Sequence, residues 1–440
     1  MTRRLRRAGA FAAVASLALT APALGAATAL PFAVIAIGAA FLVSNGPLFE
    51  LFARPGDWQD GRLNGLAGFG FAAAALAVLL ALPQAPLPVD LFVAALLILG
   101  FGNLGIEAVR TRTDEPFLGV AGFGVAAVPA AVAGQYAVAV YHGTAVEWSA
   151  VLLLAVVGTL IAALLRELLY ERDDALVVLS VGLVIWFVAT LVGSVPTVDL
   201  VGALAVTVGL GGVSYALGTA DVSGMLTGVL LGVLTIVLGG FGWFAVLIAF
   251  FAIGALASKF RYDEKADRGV AEENDGARGT GNVLANSGVA LLSVVAVAGA
   301  EQVAAAAVVG IALPFAFAGS LATALGDTLS SEVGALYDDP RLITTFERVE
   351  PGTDGAVTWQ GEVAGLLGSG LIGALSGVVL PLGDALVAGV IVTAGGLAGV
   401  TADSLLGATI EGDRLGNQAV NFCSTLTGGI TSAGLAMILV

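Results

Sequence analysis

Between Glu147 and Arg166 the chain reads Trp148-Ser-Ala-Val-Leu-Leu-Leu-Ala-Val-Val-Gly-Thr-Leu-Ile-Ala-Ala-Leu-Leu165, eighteen residues without a charge. At 1.5 Å per residue such a run makes a helix of about 27 Å, close to the hydrocarbon thickness of a bilayer. Lipid offers no partner to an open backbone, so helix is the form this run must take. Comparable runs recur from end to end. Of 440 residues, 58% are hydrophobic and 12% charged, about half the charged share of a soluble domain. Mean hydropathy is +0.98. The sequence therefore predicts an all-α, polytopic transmembrane protein.

About 15 spans are expected, with a range of 13 to 15. They fall near 9–26, 31–48, 63–82, 89–107, 118–140, 148–168, 175–194, 200–218, 222–239, 240–258, 282–300, 303–325, 361–381, 385–409 and 419–440. The first, behind Arg3-Arg4-Leu5-Arg6-Arg7, is read as an uncleaved membrane helix, because further spans follow directly. Cationic loops stay in the cytoplasm, which gives a test of the map. With the N-terminus cytoplasmic, Arg54 and Arg62, Arg110 and Arg112, and Arg166 and Arg172 share its side. So do Lys259, Arg261, Lys265, Arg268, Arg278, Arg341, Arg348 and Arg414, which completes all 18 basic residues. The location expected is the plasma membrane.

Other tallies exclude whole classes of function. Cys423 is the only cysteine and His142 the only histidine, so neither an intrachain disulfide nor a HExxH zinc site can form. A net charge of −15 argues against binding nucleic acid through its phosphates. Such acidity suits loops bathed in concentrated salt, a halophilic expectation.

Two regions differ in character. Residues 1–199 form a membrane domain of about seven spans joined by short loops, either a lipid-facing scaffold or an accessory transport unit. Residues 200–440 add two longer polar loops, 259–281 and 326–360, both cytoplasmic under the map, and function is expected there. The first loop ends Asp275-Gly-Ala-Arg278-Gly-Thr-Gly281-Asn282. Backbone N–H groups at a helix start, beside Arg278, suit an anion. Asn282 and Asn286, four apart, share a helix face. The second loop begins Gly326-Asp327-Thr-Leu-Ser330-Ser331-Glu332. Acids at the end of an apolar helix are costly unless paired, hydrated or metal-bound, and Mg2+ prefers such hard oxygens. Arg341 and Arg348, with Thr344 and Thr345, form a candidate anion clamp, and Pro351-Gly-Thr-Asp-Gly355 reads as a turn.

Near the end of the chain, Asp403 lies deep in a span, and Glu411 and Asp413 follow at its edge. Asn417, Asn421, Thr425 and Gly428 recur at helical spacing, with Ser424 beside them. Plainer readings stand next to these: hydrated helix ends, ordinary loops, and polar residues that merely bond neighbouring helices.

With those motifs in view, residues 200–440 resemble the integral-membrane family long catalogued as domain of unknown function 92, which includes transmembrane protein 19 and the plant phytyl-phosphate kinases. The resemblance rests on Gly326-Asp327-Thr-Leu-Ser-Ser-Glu332-Val-Gly, Pro340-Arg341-Leu-Ile-Thr-Thr345, Val349-Glu-Pro351-Gly-Thr-Asp-Gly355, Asp403-Ser404-Leu-Leu-Gly407-Ala, Asn421-Phe-Cys-Ser424-Thr and Asn282-Val-Leu-Ala-Asn286. It implies a membrane-embedded kinase that transfers a phosphoryl group from a nucleoside triphosphate, CTP by analogy, to a prenyl monophosphate such as phytyl or geranylgeranyl phosphate. Asp327, Glu332 and Asp403 would then serve as catalytic Mg2+ ligands. Arg278, Asn282, Asn286, Arg341, Thr345, Arg348, Asn421 and Ser424 would hold phosphates. Two alternatives are a CDP-lipid-forming cytidylyltransferase and a transporter or flippase with an intramembrane Asp/Asn site.

Overall fold

A computed structural model describes residues 3–169, 174–193, 195–271, 276–300, 306–412 and 414–440. Arg172, residues 272–275 and Asp413, read above as loop residues, fall outside them. The chain divides into two compact units, Met1–Val201 and Gly202–Val440.

The first unit contains α1 (Arg3–Ala15), α2 (Ala21–Leu24), α3 (Ala29–Ile37), α4 (Gly46–Phe52), α5 (Asp57–Asp60), α6 (Asn64–Leu79), α7 (Val89–Val109), α8 (Pro116–His142), α9 (Trp148–Leu168) and α10 (Asp174–Leu191); the boundary falls inside α11 (Thr197–Ala216). Two expected crossings, 9–26 and 31–48, merge into a single apolar run, Arg3–Leu42. Forty straight helical residues would reach about 60 Å. Yet Arg7 donates to the Ala53 carbonyl at 3.3 Å, so the chain doubles back. Gly25, in the left-handed region at φ +54°, breaks the helix, and short 3-10 pieces flank it. The third expected span is the shorter α6, sixteen residues, because Pro83, Pro86 and Pro88 end helical propagation behind it. Among the described residues, thirteen helical runs are long and apolar enough to cross a membrane.

Charge gathers at one end of this unit, as the map of cationic loops requires. The buried Asp174 carboxylate accepts from Arg54 and, at 2.8 Å, from Arg166. Arg4, Arg7, Asn103 and Glu107 line the same small space.

The second unit adds α12 (Val222–Gly239), α13 (Phe241–Lys259), α14 (Tyr262–Asp267), α15 (Thr280–Ala300), α16 (Ala306–Gly334), β1 (Arg341–Leu342), β2 (Ala356–Val357), α17 (Trp359–Val379), α18 (Ala385–Ile410) and α19 (Asn417–Leu439). Its core packs Trp243, Phe250, Phe315, Phe317, Leu321 and Ile391. Small residues set the helix spacing. A Cβ on Gly428 would lie 1.9 Å from the Thr323 hydroxyl, and one on Gly395 2.0 Å from that of Ser432. Lipid gives helices no hydrophobic reason to associate, so close backbone approach holds α16, α18 and α19 together. β1 and β2 pair antiparallel in a hairpin between α16 and α17. This packing gathers the start of α15, the end of α16, the end of α18 and the start of α19 around one space.

Candidate functional site

That space is a polar cavity of about 370 Å³. It takes Arg278, Asn282 and Asn286 from the start of α15, Asp327 and Glu332 from α16, Asp403 from α18, and Asn417 and Asn421 from α19. Arg278 and Asn421, 143 positions apart in sequence, thus converge on it.

Asp403 lines the cavity from α18. Its side chain lies within hydrogen-bonding reach of those of Asp327 and Ser424, while Oδ1 is buried with no protein partner. Two carboxyl groups at this range need a shared proton or a cation between them. Ser424 is buried on α19 and donates its hydroxyl proton to the Asn421 carbonyl at 2.9 Å.

Arg278 is positioned by its backbone. Its amide donates to the Thr219 carbonyl at 3.0 Å, and its carbonyl accepts from Asp221 at 3.2 Å. Asp221 also caps α12, accepting from the Gly224 amide at 2.8 Å. The junction is tight: a Cβ on Gly224 would sit 1.9 Å from the Arg278 carbonyl oxygen. The buried guanidinium then lies over the Phe250 ring, 5.4 Å from its centroid. Thr227 and Thr280 hydroxyls, 3.0 Å apart, tie α12 to α15. The amides keep their helical register: Asn286 Nδ2 donates to the Asn282 carbonyl at 3.0 Å, and Asn421 Nδ2 to Asn417 Oδ1 at 3.2 Å.

Glu332 lines the cavity but has other work. It accepts from Lys265 Nζ, and that ammonium is fully buried, donating also to the Ser258 carbonyl at 2.8 Å. A charge taken out of water requires such a partner. The expected three-acid metal set therefore does not assemble. Among the described residues, no three His, Cys, Asp or Glu side chains group closely enough to hold a metal ion. The Asp327–Asp403 pair does assemble. Mg2+ is commonly held by one or two carboxylates, with substrate phosphates and water completing its shell, so the pair fits that ion.

The expected anion clamp lies elsewhere. Arg341 donates to the Phe346 carbonyl at 2.7 Å, Arg348 pairs with Asp339 at 3.0 Å, and the Thr345 hydroxyl accepts from the Glu347 amide at 3.3 Å. All three side chains are exposed on the hairpin, and none lines the cavity. The hairpin contributes its other limb instead, Pro351–Thr358. Gly355, at φ +72°, lets that limb touch α18; a Cβ there would lie 2.4 Å from the Ala408 amide. Asp354 is carried in with it, a residue the sequence showed only as part of a turn.

Glu411 joins the same face. Partial burial raises its pKa, and the negative charges of Asp354 and Asp403 add to that, against a hydrogen bond from Asn417. Four acids, Asp327, Asp354, Asp403 and Glu411, thus face a cavity with Arg278 on its wall. The arrangement suits a polyanion brought in together with a divalent cation.

A bundle of membrane-length helices with an acidic, amide-lined cavity at one end defines an integral membrane protein. The chain belongs to the family described as integral membrane protein DUF92, whose model matches residues 205–429. It is similar to an uncharacterized membrane protein of Methanocaldococcus jannaschii, 39% identical over 213 residues, which cover 48% of this chain and 83% of that protein. It is also similar to Protein VTE6, chloroplastic, of Arabidopsis thaliana, 34% identical over 48% of this chain and 63% of the relative. Protein PGR of the same plant is 34% identical over 45% of this chain and 74% of its own length. No solved structure matches.

Proposed function

We propose that the second unit is a membrane-embedded prenyl-phosphate kinase, acting from the cytoplasmic face of the plasma membrane. The observation that carries this reading is the Asp327–Asp403 pair inside a polar cavity that also holds Arg278, Asn282 and Asn286 at one end of apolar helices. A prenyl monophosphate has a tail that needs hydrocarbon and a head that needs such a cavity. The resemblance to the plant phytyl-phosphate kinases supports the same substrate class.

In the reaction, an oxygen of the prenyl monophosphate forms a bond to the γ-phosphorus of the nucleoside triphosphate. The bond from that phosphorus to the β-phosphate bridging oxygen breaks, and the nucleoside diphosphate leaves. The attacking monoester is already anionic, so no histidine or other general base is required. Such transfers depend on positioning and charge neutralisation. Arg278 would hold a phosphate, Asn282, Asn286 and Asn421 would orient it, and Ser424 would fix the Asp403 rotamer. Asp327 and Asp403 would hold Mg2+, which neutralises charge on the phosphoryl oxygens. Glu332 serves by keeping Lys265, and so the loop around α14, in place.

The test is to incubate the purified chain, in lipid, with γ-labelled and α-labelled CTP or ATP and a panel of prenyl monophosphates. Prenyl diphosphate carrying the γ-label supports the kinase. CDP-lipid carrying the α-label would replace it with a cytidylyltransferase, and absence of any labelled lipid would overturn both.

A further inference from the structure

A second cavity, of about 510 Å³, opens between α11, α12 and α13. Its walls are apolar, with Leu210, Val213, Met225, Val229, Leu247 and Phe251 among them. Only one end is charged, where Lys259 closes α13 and Arg278 crosses from the loop before α15. Arg278 also lines the polar cavity, so this residue forms a wall common to both spaces. The greasy space thus ends on two cations beside the acid pair.

Its dimensions set limits on the occupant. The lining runs along α13 from Phe244 to Lys259, about 22 Å of helix. That length matches a chain of three to four isoprene units. A longer polyprenyl chain would have to leave the cavity for the bilayer.

We infer that this cavity is the chain-measuring site for the prenyl tail, with the phosphate end lying against Lys259 and Arg278 and reaching the Asp327–Asp403 pair beyond. The inference rests on the proposed substrate class and adds where its hydrocarbon goes and what sets its length. Charge complementarity favours this occupant over bulk lipid. A phospholipid brings two acyl chains and, in most bilayers, a zwitterionic head, whereas a prenyl monophosphate brings one chain and a dianion to two cations.

Gly228 gives access to a test. It lines the cavity about one helical turn below Gly224, and a Cβ placed on it meets nothing within 4 Å. Side chains added there fill the cavity without displacing its walls. Labelled geranylgeranyl phosphate and dimethylallyl phosphate are bound, without nucleotide, to the full-length protein in phosphatidylcholine nanodiscs. Wild type is compared with Gly228→Ala and Gly228→Leu. We expect Gly228→Leu to weaken geranylgeranyl phosphate at least tenfold, Gly228→Ala to fall between, and dimethylallyl phosphate to bind all three alike, with thermal unfolding unchanged. Equal binding of geranylgeranyl phosphate by wild type and Gly228→Leu overturns the site, as does equal weakening of both ligands. Displacement of the labelled chain by added phosphatidylcholine as readily as by unlabelled geranylgeranyl phosphate also overturns it. Because binding is read without turnover, the two proposals separate. If no prenyl monophosphate is phosphorylated but Gly228→Leu still discriminates by chain length, the tail site stands and the kinase reading falls.

Discussion

Asp403 and Asp327 are held against each other by the packing of α16 on α18, and neither would choose that neighbour in water. Such pairs persist where a ligand uses them, and they destabilise the fold until it arrives. Asp403→Asn and Asp327→Asn should therefore each lower turnover by about 100-fold or more, the range seen when one charge-stabilising group is removed. Thermal unfolding without ligand should stay level or move upward; a drop would mark the pair as structural. Glu411 makes a separate point through pH. Burial and the charges of Asp354 and Asp403 raise its folded pKa above the unfolded value. A raised acid favours the folded state while protonated, so stability falls as pH climbs from the ordinary glutamate value of about 4.3 through the folded one. Glu411→Gln should remove that slope, and added Mg2+ should flatten it in wild type, both read from unfolding temperature against pH. At this scale the sequence was legible where burial alone forced meaning. An acid inside an apolar run, as at Asp403, needs a reason. Arg341 and Arg348 carried the right charge for phosphate, but charge without position says nothing, and the hairpin turns both toward solvent.

Helices and their contacts tell a different story, because lipid removes the solvent cue that separates inner from outer faces. The apolar runs fixed span lengths closely, yet the reversal near Gly25 and the short α6 depended on local backbone breaks rather than on hydropathy. Glycine content predicted close packing but not which glycines meet. Those at Gly395 and Gly428 do, and a methyl group at either collides with a hydroxyl of a neighbouring helix. Gly428→Ala and Gly395→Ala should each cost about 1–3 kcal/mol, the usual penalty of overpacking. Gly370→Ala, where a Cβ meets nothing within 4 Å, should be neutral. Unfolding in detergent would show the contrast, and equal effects at all three positions would refute the packing account. The Lys265–Glu332 pair links α14 to α16 by a second principle. Removing one member of a buried pair leaves an uncompensated charge, at about 3–5 kcal/mol, whereas an apolar pair of similar volume is often neutral. Lys265→Met alone should thus unfold the protein readily, and adding Glu332→Leu should restore it. Had Glu332 been a metal ligand, as its sequence position first implied, the double variant would be inactive; with Glu332 structural, activity should return with stability.

On the scale of the chain, the question is what Met1–Val201 adds to a unit that already contains both cavities. The family model begins at residue 205, close to the internal boundary at Gly202. The Methanocaldococcus relative is 83% covered by a 213-residue match, which leaves no room in it for a counterpart of the first unit. A unit of this size has enough surface to bury, and its core of Trp243, Phe250, Phe315 and Phe317 lies wholly within it. The residues lining the two cavities likewise lie at or beyond Thr207. A chain cut before Thr197, where α11 begins, should therefore insert, unfold cooperatively, and bind prenyl monophosphate with the same chain-length preference as the full protein. Sidedness can be read in the same background. With Cys423 replaced by serine, Asp338→Cys, on the loop after α16, should label from the cytoplasm. Asp384→Cys, before α18 at the far end of the bundle, should label only from outside. Reversed labelling would put the polar cavity on the outer face, away from cellular nucleotide, and the kinase reading would fail whatever the cut chain binds. Correct labelling with lost binding would instead locate an essential contribution in the first unit, whose own charged cluster around Asp174 would then be the place to look.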